Sequence, residues 1–132
     1  REARMQIGGT FTLAGWQEDA LEESPTKLTQ ARIEQSWEGD AEGAVVSHNL
    51  MHYASDGTAS IVGMMRFTGT VAGRTGSFVA QGTGAYDGSE VRSDLVVTAG
   101  SGSGELAGLA GTGSYAAPKG PQGTWSLDLE LP

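Results

Sequence analysis

The sequence predicts an all-β protein, an eight-stranded antiparallel up-and-down β-barrel. Turn-like clusters of Gly, Asp, Ser and Pro recur along the chain, and the stretches between them are rich in Val, Thr and aromatic residues at alternating positions. Consecutive strands joined by short turns favour antiparallel neighbours. Closure into a barrel removes two exposed edges, and the many strand glycines suit tight coiling, so a barrel is favoured over a sandwich.

Eight strands are expected, and the last is the clearest. In TWSLDLEL, Trp and three Leu alternate with Thr, Ser, Asp and Glu, so one face is buried and the other is wet. The predicted strands cover residues 8–16, 27–37, 44–54, 59–71, 76–87, 91–99, 104–116 and 123–131.

The segment WQEDALEE, residues 16–23, is the best candidate for helix. Its four acids repel one another, which favours an acidic solvated loop over a turn or two of helix. Neither interpretation makes it a strand.

The glycine-rich segment GSGSGELAGLAGTGSY, residues 100–115, formally matches a dinucleotide fingerprint. That motif needs a helix at its second glycine and a following βαβ unit, and neither fits here. We predict a turn and then the seventh strand, and we expect no cofactor. The two expected faces of that strand are Leu106, Gly108, Ala110 and Thr112, against Ala107, Leu109, Gly111 and Gly113.

The bulk composition limits the function. The 132 residues suit one domain, expected over residues 5–132, with the charged REAR of residues 1–4 set aside as a cloning remnant. A net charge of −8 argues against nucleic acid and against a polybasic membrane contact, and no apolar run is long enough to span a membrane. The chain has no cysteine, which fits a reducing, cytoplasmic location.

A metal site is not expected. His48 and His52 share one strand face but lie about 13 Å apart at the strand rise of about 3.3 Å per residue, too far for a shared metal. Asp40, in GDAEG, is interpreted as a turn residue that bonds nearby backbone N–H groups.

Alternation leaves two choices of lumen face, and we assign inward the face that carries the large aromatic side chains. Its polar members are Gln35, Asn49, Tyr53 and Tyr86, in an otherwise apolar interior, which is the composition of a small-molecule pocket and also of a filled core. The small inward residues Ala31, Gly63, Gly82 and Gly84 favour the pocket. The opposite face would bring in Glu34, His48 and Arg66.

Three segments together carry a family resemblance: WEGDAEG, DGTASIVGMMRFTGTVAGRTGSFVAQGTGAY and GSGSGELAGLAGTGSY. The chain resembles the bacterial DUF3224 domain family, and the resemblance implies an allene oxide cyclase-like barrel distantly similar to dirigent proteins and to bacterial spirocyclase and Diels–Alderase barrels. Those relatives hold an apolar substrate in the lumen. The family pattern has Glu where Met65 stands and His where Gly82 stands, which weakens the transfer of an acid–base role and implies a wider, more apolar lumen.

The resulting hypothesis is a cofactor-free cyclase or isomerase that folds an apolar, polyketide- or lipid-like molecule in the lumen. Tyr53, Tyr86, Asn49 and Gln35 are the expected catalytic groups, which would polarise a carbonyl. The expected substrate contacts are Trp37, Met51, Met65, Phe67, Phe78, Gly82, Leu95, Trp125 and Leu127. The alternatives are a non-catalytic, lipocalin-like binding protein and an oligomerising barrel whose subunits meet at Val46, Leu50, Val62 and Met64.

Overall fold

The computed structural model describes residues 3–131, which form nine strands and no helix. All strand pairs are antiparallel. The strands are β1 (Ala3–Glu22), β2 (Lys27–Gly39), β3 (Ala41–Tyr53), β4 (Ala59–Val71), β5 (Arg74–Tyr86), β6 (Glu90–Val97), β7 (Ser103–Gly104), β8 (Ala110–Pro118) and β9 (Gln122–Leu131).

Eight of these strands close into a barrel, as the sequence predicted. The order around the sheet is β4, β3, β2, β1, β9, β8, β6 and β5, and pairing of β4 with β5 completes the circle. The two-residue strand β7 pairs only with β5. Within residues 3–131 no helix is long and apolar enough to cross a membrane.

The inner face is the one that carries the large aromatic residues. Along β4, buried and exposed residues alternate, so that Ile61, Met65 and Phe67 lie inside while Val62 and Met64 lie outside. Strand β9 alternates in the same way, with Trp125, Leu127, Leu129 and Leu131 buried.

Strand β1 is much longer than the sequence suggested. Residues 16–22, expected to form an acidic loop or a turn of helix, continue β1 and pair with β2 as far as Glu22 and Leu28. Cross-strand pairing outweighs the local repulsion among the acids, because all but Glu18 of them are exposed to solvent. Ala3 and Arg4, set aside as part of a remnant, pair with β9 at Leu131 and Glu130. Residues 1 and 2 lie outside the described residues.

The expected seventh strand is interrupted. Residues 105–108 form turns between β7 and β8, so the predicted alternation of faces through them is wrong. Leu106 and Leu109 are both buried, at 0% and 2% exposure, and close one end of the barrel. Gly102 permits this tight path, since a Cβ there would overlap the backbone carbonyl of Leu106. We call this segment, residues 98–109, the plug.

The lumen is divided into two unequal halves. Beside the plug lies a large packed core in which Trp37 stacks on Trp125 at 4.5 Å between ring centroids and Phe67 stacks on Phe78 at 5.2 Å. At the opposite end a smaller cluster of Ala31, Ile33, Met51 and Ile61 packs with Leu13, Tyr53 and Val91. The half beside the plug is therefore a filled core, and open space lies at the other end.

Candidate functional site

The open end of the barrel, which we call the mouth, contains a pocket of about 290 Å³. It lies where the ladder between β1 and β9 has ended, between the second half of β1 and the β8–β9 turn. Most of its lining is aromatic or aliphatic, as in small-molecule sites. The lining residues are Trp16, Met51, Tyr53, Ala59, Ile61, Tyr86, Val91, Ala117, Pro118, Lys119 and Gly120.

A β-bulge at Ala14 sets the chemistry of this mouth. Leu13 opposes Gln35 and Gly15 opposes Glu34, so Ala14 is the extra residue of β1. One extra residue reverses which side chains point inward, and bulges commonly re-aim a side chain in this way. Between this bulge and a second register shift at Leu21, the even-numbered residues 16, 18 and 20 face the lumen side, which brings Glu18 to the mouth. After the second shift Glu22 lies on the outer face, as Asp19 does.

The Glu18 carboxylate accepts hydrogen bonds from three side chains. The Thr29 hydroxyl donates to Oε2 at 2.6 Å, and the Tyr53 hydroxyl donates to the same oxygen at 2.7 Å. The Trp16 indole Nε1–H donates to Oε1 at 3.1 Å. Trp16 and Tyr53 also line the pocket, so the carboxylate lies directly behind two of its walls. We call Trp16, Glu18, Thr29 and Tyr53 the mouth cluster.

The mouth cluster separates the protonation states of its acid and its phenol. Burial raises the pKa of Glu18, but the three hydrogen bonds and the charge of Lys27 outweigh it and hold the pKa below its usual 4.5. Burial, and then the hydrogen bond to the negative charge of Glu18, raise the pKa of Tyr53 to about 12. At neutral pH the site therefore holds a carboxylate and a neutral phenol.

The mouth also holds two cations. The Lys27 ammonium lies 5.6 Å from the centroid of the Tyr53 ring, a cation–π distance. Lys119 lines the pocket from the β8–β9 turn. The charge of Glu18 is thus partly balanced, which suits a neutral ligand with a polar group better than a strongly charged one.

The four residues expected to be catalytic fall into two pairs. Tyr53 and Tyr86 both line the mouth pocket, but each hydroxyl already donates a hydrogen bond. The Tyr53 hydroxyl donates to Glu18, and the Tyr86 hydroxyl donates to the Gly88 carbonyl at 2.9 Å. Gln35 and Asn49 lie deeper. Gln35 accepts from the Trp37 indole at 3.1 Å, and Asn49 donates to Ser47 at 3.0 Å. The structure does not bring all four together.

Gln35 and Asn49 line a small cavity of about 20 Å³ at the waist of the barrel. Ser47, Ser93 and Tyr115 share its lining, and burial raises the pKa of the Tyr115 phenol. A cavity of this size with several polar groups accommodates one water molecule. The waist suits a structural water and has no room for a substrate.

The residues expected to contact substrate are spread along the barrel. Met51 lines the mouth, while Met65, Gly82 and Leu95 line the waist cavity. The other five are in the packed core beside the plug, at 0% to 3% exposure: Trp37, Phe67, Phe78, Trp125 and Leu127. These five fill the half of the lumen beside the plug, where the aromatic rings contact one another.

A second concavity lies on the outer wall. It is a groove of about 940 Å³, where Leu50, Val62 and Met64 are 44% to 51% exposed between polar side chains. The inner residues behind it are small, among them Gly63 and Gly82, which leaves the wall indented. Three of the four residues expected at a subunit interface are in this groove; Val46 is half-buried beside it.

Sequence reasoning missed Glu18, Trp16 and Thr29. A bulge inside a strand reverses the alternation on which the assignment of faces depends. The residues around Ala14 carry no pattern that predicts a bulge. The sequence did offer one sign, which is length. The residues before Pro25 are numerous enough to form a strand as long as the strand after it, and two such strands can pair as a hairpin. No group of three or more potential metal ligands occurs among residues 3–131.

Comparisons with known proteins agree on the fold. Residues 7–130 match the model of a family described as a protein of unknown function, DUF3224. The structure is similar to a crystal structure of a DUF3224 protein of unknown function from Shewanella oneidensis MR-1, with a TM-score of 0.78 and 24% identity over 98% of this chain and 99% of that one. No curated protein matches the sequence.

Proposed function

We propose that this chain, which belongs to the DUF3224 family of proteins of unknown function, binds a small apolar molecule in the mouth of its barrel. The observation that carries the proposal is the pocket of about 290 Å³, walled by aromatic and aliphatic side chains with an ionised carboxylate directly behind them. Its volume is just below the usual range of ligand pockets, which begins at about 300 Å³. A ligand with one to three rings and a single hydroxyl, amide or amine donor matches it.

Binding is favoured over catalysis because the polar groups of the mouth are already paired. Tyr53 donates to Glu18, and Tyr86 donates to a backbone carbonyl, so neither phenol proton is free for a substrate carbonyl. The Glu18 Oε1 atom, which accepts only the Trp16 indole among the described contacts, has room for one more donor. Glu18 does not line the pocket itself, so a bound ligand would contact the Trp16 and Tyr53 side chains that the carboxylate holds in place, without transfer of a proton.

The test uses the neutral dye N-phenyl-1-naphthylamine, whose fluorescence rises on transfer to an apolar site. Ala117 lines the pocket and is half-buried, so Ala117→Phe should fill the space and weaken dye binding at least tenfold. Trp16→Ala should weaken dye binding less, because it removes one wall of the pocket and leaves the space itself open. The control is Val62→Ser in the outer groove, which should leave dye affinity unchanged.

Two outcomes contradict the proposal. Saturable binding that Val62→Ser weakens and Ala117→Phe does not would place the dye in the outer groove. Absence of saturable binding to the wild type, in a protein shown to be folded by circular dichroism, would reject a mouth site altogether.

A cyclase or isomerase acting at the same mouth is the second candidate. It is supported by an ionised carboxylate beside a neutral phenol in an apolar pocket, since two titratable groups with separated pKa values suit acid–base chemistry. Tyr53→Phe and Glu18→Gln should then slow turnover of a candidate polyketide- or lipid-like substrate at least tenfold, followed by chromatography and mass spectrometry. Wild-type rates in both variants would reject it.

The proposal also covers kinship with other barrel families, cellular location and origin. A closed eight-stranded antiparallel barrel supports kinship with allene oxide cyclase-like barrels and dirigent proteins. The lack of cysteine supports a cytoplasmic location, and the Shewanella structure supports a bacterial origin.

A further inference from the structure

The second half of β1 forms a free edge of the barrel wall at the mouth. The ladder between β1 and β9 ends at Thr12 and Gln122, and one more backbone bond joins the Leu13 N–H to the Pro121 carbonyl at 2.6 Å. Beyond that point, in the part of the chain that the structure describes, residues 14–22 pair with β2 alone. At the opposite end of the same strand, residues 5–7 pair with β9 and likewise extend past the β2 ladder, which ends at Gly9 and Gly39. The edge at the mouth is the longer of the two.

A free edge exposes a row of backbone donors and acceptors that can pair with another strand. Residues 16, 17 and 19–22 are exposed, and Trp16 and Leu21 each keep 51% of their surface accessible. The outer side of this edge therefore has no backbone pairing partner among the described residues, and most of its side chains are exposed to solvent.

The charge of the edge selects its partner. Asp19 and Glu22 lie on β1, and Glu23 follows directly, with no cation on residues 14–23. Like charges placed opposite one another across strands are unfavourable, so a second copy of this acidic edge is a poor partner. Lysine or arginine at alternate positions of an added strand would lie opposite these carboxylates.

The two faces of the edge differ. Beyond the bulge, Asp19 is on the outer face of the wall, where it lines the outer groove, while Trp16 is on the mouth side and lines the pocket. An added strand would therefore meet carboxylates on its outer face and aromatic surface on its inner face. Alternate basic and apolar residues match both faces, because successive side chains of a strand point to opposite sides.

We propose that the free edge of β1 binds an extended basic peptide as an added strand, with its cationic side chains outward and its apolar side chains toward the mouth. Such strand addition takes affinity from main-chain hydrogen bonds and specificity from alternate side chains. The inference rests on the edge and does not depend on a small molecule occupying the pocket.

The probe is a capped seven-residue peptide, in the order lysine, valine, lysine, phenylalanine, lysine, valine, lysine. Binding is measured by isothermal titration calorimetry and by the fluorescence of Trp16, assigned with Trp16→Phe. Two further peptides carry N-methyl groups on every lysine amide or on every apolar residue's amide. These amides point to opposite edges of a strand, so one methylated peptide should lose at least tenfold in affinity and the other should bind as the parent does.

The charge is tested by Asp19→Lys with Glu22→Lys, which should weaken parent-peptide binding at least tenfold. The matched control is Glu38→Lys with Glu42→Lys, two exposed acids toward the other end of the barrel that change the net charge equally, and it should alter binding less than threefold. Dye binding at the mouth should persist in the edge variant, which separates failure of this inference from failure of the mouth site. If the edge variant does not fold, the methylated peptides still decide the matter on the wild type.

Three results would overturn the inference. No binding of the parent peptide would mean that the acids only protect the edge from association. Equal binding of the two methylated peptides would exclude main-chain pairing. Sedimentation showing a wild-type dimer that Asp19→Lys with Glu22→Lys abolishes would assign the edge to a second copy of the chain.

Discussion

Replacing Glu18 by glutamine tests whether the mouth cluster is coupled as its geometry indicates. The substitution keeps the shape of the side chain and removes its negative charge. The pKa of Tyr53 is raised from 10.0 to about 12, with burial as the largest cause and the hydrogen bond and charge of Glu18 next. In Glu18→Gln we expect the pKa of Tyr53 to fall between these two values, because burial remains and the charge is gone.

The measurement is a ¹³C NMR titration of the tyrosine Cζ resonances between pH 8 and pH 12.5. The chain has three tyrosines, and Tyr53→Phe identifies the relevant signal. A double-mutant cycle of Glu18→Gln and Tyr53→Phe in guanidinium chloride should give a coupling energy of about 1 kcal/mol. A hydrogen bond to a charged group contributes about 1.5–3 kcal/mol, and partial exposure to solvent reduces it.

The pH dependence of stability has a definite sign at this site. Because the pKa of Glu18 is lowered in the folded chain, its contribution is complete above pH 4.5 and is lost as the pH falls through the lowered pKa. Because the pKa of Tyr53 is raised, its contribution is complete below pH 10.0 and is lost as the pH rises toward 12. An unchanged pKa of Tyr53 in Glu18→Gln, or a coupling below about 0.3 kcal/mol, would refute the reasoning.

Three further predictions concern the core, the plug and the bulge. Phe67→Ala should lower the free energy of unfolding by about 3–5 kcal/mol in guanidinium denaturation, since the ring is fully buried; a loss under about 1 kcal/mol would contradict a filled core. Leu106→Ala should cost about 2–5 kcal/mol yet leave dye affinity at the mouth unchanged, and a parallel loss of dye binding would show that the two ends are linked. Deleting Ala14 should remove the bulge and keep Glu18 opposite Ala31 on the inner face, so the pKa of Tyr53 should stay near 12 by NMR; a fall toward 10.0 would mean that the bulge itself positions the carboxylate.

Much of the site could not be predicted from local sequence patterns, and three residues show why. Tyr53 was identified because it stands at the end of a regularly alternating strand. Glu18 was missed because its neighbours have the composition of a loop and because the bulge at Ala14 breaks the period. Leu106 was placed on a strand, since glycine-rich alternation resembles strand and turn equally well.

The sequence by itself determined the fold class and the eight strands of the barrel wall, and its aromatic residues favoured one of the two possible inner faces. Period-two alternation and turn chemistry are local, and a chain that buries one face of eight antiparallel strands has few ways to do so other than closure. Only the tertiary structure decided where space remains inside. Packing of Trp37 on Trp125 fills one half of the lumen, while β1 outruns β9 and leaves the mouth and a free edge at the other. These depend on the relative lengths and registers of strands distant in sequence, which no local pattern encodes.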